Sequence, residues 1–235
     1  MYKIASLARF ARSRSKQEAG EYWTARHAPL MKLVSPLAGY VQSHVVGPLP
    51  LAAGVAEEQT FFDGYSSAWW ESLSDFRHAV TTSEWQDVID DGAGIFDMEW
   101  LWNMSAHLEE TVLVDGRRTA YKVVWVVRFK SGMTRGEGRN YWSNVHGPIV
   151  EGLGADRYVQ NHVAGPIGAD GDTADAEIGF DGFSECWFED EQRFLDAVAS
   201  AAWAAAVEDA RNLFDTSSIW GAAVSERVIV ELPVP

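Results

Sequence analysis

Residues 21–31 read EYWTARHAPLM and residues 140–150 read NYWSNVHGPIV, so Tyr-Trp-x-x-x-His-x-Pro occurs twice. Histidine titrates near neutral pH, which makes His27 and His146 candidates to accept and return a proton. Trp23 and Trp142 stand four residues earlier, a spacing that on a helix places ring and histidine on one face. A second block repeats as GYVQSHVVGP from Gly39 and RYVQNHVAGP from Arg157. Alternate residues of a strand share a face, which groups Tyr40, Gln42 and His44, and likewise Tyr158, Gln160 and His162. A third repeat, FDGYSSAWWE and FDGFSECWFE, carries Trp69 with Glu71 and Trp187 with Glu189. Aromatic walls beside proton-transfer groups suit a planar, mostly apolar substrate. The same residues also have structural uses. A histidine at a helix end can bind free carbonyls, and a Tyr/Gln/His face can brace two sheets.

These blocks recur 118 or 119 residues apart, as do Trp85 and Trp203, Phe96 and Phe214, and Trp102 and Trp220. Two copies of one unit follow, residues 1–110 and 119–235, joined around DGRRTAY. The N-terminal stretch is rich in Arg and Ser and lacks acids, like an organelle presequence. Its KIASLARF matches KVVWVVRF of the second copy, so it is expected to be a strand instead.

Each copy reads as strand, helix, strand, strand, helix, strand. Ser15 with Glu18 and Thr134 with Glu137 form capping boxes that start the first helices. Pro29 and Pro148 are expected to end them at about Ala25 and Val145. DFRHAVTTSEWQDVID and RFLDAVASAAWAAAVEDA predict one second helix each. The segments 48–59 and 166–177 are long enough to serve as lids. A βαββαβ order in about 110 residues is the ferredoxin-like pattern, an α+β class with helices on one sheet face. The bare face needs a cover, and two copies can pack sheet to sheet as an intramolecular α+β barrel. The valines of the second strands are then expected to face the helices, with the Tyr/Gln/His faces lining the barrel. Trp69 and Trp187 have the parity of Tyr65 and Phe183 and can also line the interior.

The formal net charge of −15 disfavours nucleic acid or an anionic membrane surface as a partner. Eleven tryptophans are an excess that suits a pocket for a planar aromatic ligand, although most of them are expected to pack the core. Cys186 is the single cysteine, so neither a disulfide within the chain nor a Cys-x-x-Cys zinc site is available. It reads as a buried, inert thiol, and a reducing cytoplasm is the simplest compartment. No run of about 18 apolar residues occurs. Phosphate-binding Gly-rich motifs, a nucleophile elbow and His-x-x-x-His are also absent, so no metal site is assigned, although four scattered histidines could meet at a metal or haem iron.

The Tyr-Trp-x-x-x-His-[Ala/Gly]-Pro helix followed by the Tyr-Val-Gln-x-His-Val strand resembles the EthD family of the dimeric α+β barrel superfamily, once per half. Single-domain members pair as dimers, which makes this chain look like a fused pair; whether it pairs again as a homodimer stays open. The resemblance implies a pocket between the concave sheet face and the flanking loops and helix. It also implies chemistry on small aromatic or polyketide-like molecules, mostly without cofactors, with haem in some relatives. The expected activity is a cofactor-independent lyase or isomerase for a small aromatic or polycyclic compound. His44, His162, His27 and His146 would move protons, and Tyr40, Gln42, Tyr158, Gln160, Trp69, Trp187, Trp23 and Trp142 would hold the substrate. The alternatives are a cofactor-free or haem-dependent monooxygenase, or a non-catalytic binding protein for an aromatic metabolite.

Overall fold

The computed structural model of the chain describes residues 1–49, 61–168 and 178–232. The two expected lid segments lie mostly outside the described residues.

The first half runs β1 (Tyr2–Ala8), α1 (Lys16–Tyr22), a π-helical turn (Trp23–His27), α2 (Ala28–Met31), β2 (Gly39–Pro48), β3 (Gly64–Trp70), α3 (Leu73–Ala79), α4 (Ser83–Gly92), α5 (Met98–Asn103) and β4 (Ser105–Val114). The second runs β5 (Tyr121–Val127), α6 (Arg135–Tyr141), a π-helical turn (Trp142–His146), α7 (Gly147–Glu151), β6 (Arg157–Gly165), β7 (Gly182–Phe188), α8 (Glu191–Val198), α9 (Ala201–Leu213), a 3-10 turn (Thr216–Ser218) and β8 (Trp220–Val230). Both capping boxes form as expected. The second helices are each broken in two. Thr82 and Ser200 turn their hydroxyls onto the backbone N–H groups of Trp85 and Trp203, starting a new helix where periodicity predicted continuation.

The eight strands close into an antiparallel barrel in the order β1-β3-β2-β8-β5-β7-β6-β4. Each half supplies four strands, and the halves join where β2 pairs with β8 and β4 with β6. No edge is left open. Leu7, Val45, Tyr65, Ala106 and Leu108 of the first half pack inside with Val124, Val126, Val163, Phe183 and Val224 of the second.

This arrangement reverses one expectation. The Val41, Ser43, Val45 and Val159, Asn161, Val163 faces point into the barrel, while Tyr40, Gln42, His44 and Tyr158, Gln160, His162 point toward the helices. Tyr40 packs with Met31, Phe76 and Val88, and Tyr158 with Val150, Phe194 and Ala206. The valines share the interior with larger residues of other strands, Tyr65 and Phe183 among them, while Gln42 and Gln160 find their partners under the helices, on the Trp23 and Trp142 carbonyls. Both faces are buried, so polarity did not mark the inner one.

The parity of Trp69 and Trp187 does place them inside, but as platforms for lysines. Lys3 Nζ lies 4.8 Å from the Trp69 ring centre and Lys122 Nζ 4.5 Å from that of Trp187. Both lysines are buried. Lys122 bonds Glu185 at 2.6 Å and also Glu226; Lys3 bonds Glu110 at 2.7 Å and Asn161 at 2.6 Å. Tyr65 Oη donates to Glu185 at 2.6 Å, and Asn161 Nδ2 to its other oxygen at 3.0 Å. Burial alone pushes the Glu185 carboxyl up, but the two lysines and the hydroxyl outweigh it and hold the group well below the usual carboxylate range. A connected polar network thus ties the two halves together inside the barrel.

Candidate functional site

The repeated FDG triplet sets the first geometry. Asp63 and Asp181 accept the backbone N–H of Phe10 and Phe129, each at 2.8 Å. Gly64 and Gly182 let the helix come down on the sheet. A Cβ at Gly182 would stand 2.6 Å from the Trp142 ring, and one at Gly64 would stand 2.7 Å from the Trp23 ring. Both tryptophans are therefore buried against the outer face of the barrel.

The prolines do not end the helices as expected. The chain widens into a π turn at Trp23–His27 and Trp142–His146, and the N–H groups of Ala28 and Gly147 reach back to the carbonyls of Trp23 and Trp142. The wider turn carries each proline past the carbonyl its ring would strike, and Pro29 and Pro148 sit in the first turn of α2 and α7. Gln42 Nε2 and Gln160 Nε2 each donate to the same tryptophan carbonyls at 3.1 Å. The two glutamines therefore fasten the π turns to the sheet.

The π turn presents its histidine to α4 or α9. His27 Nδ1 lies 2.8 Å from Asp91 Oδ2, and His146 Nδ1 lies 2.9 Å from Asp209 Oδ2. The other oxygen of each carboxylate accepts a tyrosine hydroxyl, Tyr22 at 2.7 Å and Tyr141 at 2.8 Å. The result is a Tyr–Asp–His chain in each half. Sequence reading missed Asp91 and Asp209, although they recur at the repeat spacing, and gave no role to the first residue of its Tyr-Trp motif. Burial lowers the pKa of His146 by more than Asp209 raises it, and the same holds for His27 with Asp91. Both rings are therefore neutral near pH 7, with Nδ1–H held by the carboxylate and Nε2 left as the base.

His146 lines a cavity of about 420 Å³ between β5, β6 and β7 and the helices of the second half. Trp125, Trp142, Trp203 and Phe214 supply aromatic walls; Tyr158, Ser184 and Cys186 form the floor. Tyr158 lies directly across the ladder from Cys186 and diagonally from Ser184. Gln160 Nε2 donates to the Tyr158 oxygen at 2.9 Å, which leaves the phenolic O–H to donate elsewhere. Burial pushes the phenol and the Cys186 thiol up, so both stay protonated. The equivalent space in the first half, lined by Trp23, His27, Tyr40 and Ser66, measures about 90 Å³. The expected pocket on the concave sheet face is instead on the helical side of the barrel wall.

His44 and His162 are not in the lining of either cavity. His44 Nε2 meets Thr24 Oγ1 at 3.3 Å and Gln42 Oε1 at 3.2 Å, and His162 Nε2 meets Ser143 Oγ at 3.3 Å. Burial, with Arg227 near one and Arg139 near the other, lowers both to about 4. Trp69 and Trp187, inside the barrel, are also separated from His27 and His146. Among the described residues no three of His, Cys, Asp and Glu gather as metal ligands. Arg211 is the cation in the lining of the large cavity and is paired with Glu208, so two haem propionates would lack counter-charges there. The lining does not fit a haem. Among the described residues no helix is long and apolar enough to cross a membrane.

Known folds match over almost the whole chain. An anthrone oxidase-like protein shares 14% identity over 99% of this chain and 95% of its own, with a TM-score of 0.62. A candidate monooxygenase from Fusobacterium nucleatum shares 8% over 99% and 95%, with a TM-score of 0.59. Another from Lactobacillus acidophilus shares 11% over 97% and 94%, with a TM-score of 0.51. At such identities the likeness is one of fold. No curated protein matches the sequence. The EthD domain matches residues 12–99 and again residues 130–217. With both π-helical motif segments inside those spans, the chain belongs to the EthD domain family, which it carries in duplicate.

Proposed function

We propose that this chain is a cofactor-independent oxygenase for a small polycyclic aromatic compound, and that the second-half cavity is its active site. The observation that carries the reading is His146, oriented by Asp209 through Nδ1 and with no partner on Nε2 among the described residues, in a cavity walled by tryptophans. A volume of about 420 Å³ falls within the usual range for small-molecule sites. His146 takes a proton from a carbon or phenol made acidic by the ring system, and Tyr158 donates its O–H to the oxygen that gains charge. The carbanion passes an electron to dioxygen, the two radicals join as a hydroperoxide, and loss of water leaves a ketone. A ring methylene plus dioxygen thus gives a carbonyl plus water, with no outside reductant. The fold shared with an anthrone oxidase-like protein supports dioxygen as the second reactant.

The second reading is the lyase or isomerase. It is favoured by Tyr158, an acid sharing the cavity with the base, because elimination and isomerisation need both. In this reading each half, 1–110 and 119–235, is a ferredoxin-like βαββαβ unit, as in the first. Oxygen separates the two. The purified chain is given an anthrone with and without dioxygen, and oxygen consumption and products are followed. Turnover that persists anaerobically sinks the oxygenase and leaves the lyase or isomerase. Turnover unchanged in His146→Gln sinks both.

A further inference from the structure

The two halves repeat the same polar set. His146, Tyr158 and Ser184 line the large cavity, and His27, Tyr40 and Ser66 occupy the matching places in the small one. The Tyr–Asp–His chains match within about 0.1 Å at each bond. Chemistry therefore does not distinguish the halves; space does. The second-half cavity measures about 420 Å³ and the first-half one about 90 Å³.

Side chains differ on both walls, and those that take up room in the first half are on the helical one. Where the second half has Val150, Ala206 and Thr216, the first has Met31, Val88 and Met98. Each is bulkier or longer than its counterpart, and all three line the first-half space. Met31 and Val88 pack with Tyr40, Trp70 and Phe76 in one tight cluster. The sheet wall runs the other way, since Ser6 and Ala68 stand where the second half has Trp125 and Cys186. The first half is therefore closed from its helices.

We propose that the chain holds one working site for a planar aromatic molecule, in its second half, and one latent copy in its first half, closed by Met31, Val88 and Met98. A symmetric pair of identical chains would carry two equal cavities; a fused chain is free to fill one. The fused chain thus binds one aromatic ligand. The first-half His27–Asp91–Tyr22 chain persists as a tie between the π turn and α4, since no ligand reaches it.

This inference rests on the second-half cavity being an aromatic site, and the experiment separates the two claims. Equilibrium dialysis with 1-naphthol counts molecules bound per chain for the wild type, for Val150→Met with Ala206→Val, and for Met31→Val with Val88→Ala and Met98→Thr. The expected counts are one, none and two. No binding by the wild type overturns the aromatic site itself, and the inference with it. Two molecules on the wild type, or one retained at equal affinity by the filled variant, overturns the assignment while leaving an aromatic site standing. One molecule on the opened variant, folded by circular dichroism, overturns the latent site. If the opened variant does not fold, Val88→Ala alone replaces it, with a second and weaker binding event as the expected result and its absence as the overturning one.

Discussion

His146 and Asp209 meet at 2.9 Å through Nδ1 and Oδ2, and His27 and Asp91 meet at 2.8 Å through the same atoms. One pair faces a cavity of about 420 Å³ and the other a space of about 90 Å³. An identical hydrogen bond thus has room for a substrate in one half and not in the other.

The first prediction concerns that bond. His146→Gln lowers kcat by about 10²–10⁴-fold, the usual contribution of a general base, whereas His27→Gln lowers thermal stability. The active form of His146 is neutral and its pKa lies below the ordinary value. Wild-type kcat/KM is therefore flat at neutral pH and above, and falls as pH drops through a midpoint below the ordinary histidine value. Asp209→Asn removes the influence that raises that pKa, so the midpoint moves to lower pH while the plateau falls. A pH–rate profile of the two proteins checks both signs. A midpoint that moves up would show that the carboxylate does not hold the ring.

The second concerns acid stability. Folding depresses His44 and His162 to about 4, chiefly through burial. The unfolded chain holds protons that the folded chain lacks, so stability is full above about pH 6.5 and drains away toward pH 4. Each histidine contributes on the order of 3 kcal/mol to that loss. Urea unfolding at pH 7 and pH 4 measures it, and His162→Gln is expected to flatten the dependence. An unchanged pH slope in that variant would refute the assignment.

The third concerns the barrel interior. Lys122→Met leaves Glu185 and Glu226 without their shared cation. Removing one partner of a buried ion pair costs about 3–5 kcal/mol. Lys122→Met combined with Glu185→Gln is expected to recover part of the loss, because the stranded charge is gone. A double-mutant cycle on chemical unfolding gives the coupling; additive losses would place these groups in water rather than in a network.

Much of this was legible because the chain is written twice. The matched YW…H, YVQ…H and FDG blocks revealed the two halves, and the capping boxes placed the helix starts. Three things were hidden, each for a physical reason. Lys3 and Lys122 look like strand-edge surface residues, and only barrel closure brings Glu110, Glu185 and Glu226 to them. The inner face of β2 and β6 could not be told from the outer, because helices bury the outer face as fully as the barrel buries the inner. Pro29 and Pro148 read as helix ends, because the π turn that accommodates them leaves no mark of its own in residue type. His146 was recognised as a candidate, but its orienting partner Asp209 lies 63 residues away on α9. His44 and His162, named beside it as candidates, sit by the π turns and outside the linings of these two cavities.

The last prediction uses the glycines of the repeated FDG triplet. A Cβ at Gly182 would stand 2.5 Å from the Asn161 carbonyl oxygen and 2.6 Å from the Trp142 ring. One contact is backbone and cannot swing aside, and the other is a wall of the large cavity. Gly182→Ala therefore costs about 1–3 kcal/mol, the range for overpacking a core, and weakens aromatic binding as Trp142 is displaced. At Gly136, in α6, an added Cβ would meet nothing within 4 Å. Gly136→Ala is expected to stabilise the chain by about 0.4–1 kcal/mol through the unfolded state. Thermal melting of both variants, with 1-naphthol binding as the second readout, tests the pair. Equal behaviour at the two positions would mean that the helix does not rest on the sheet at Gly182.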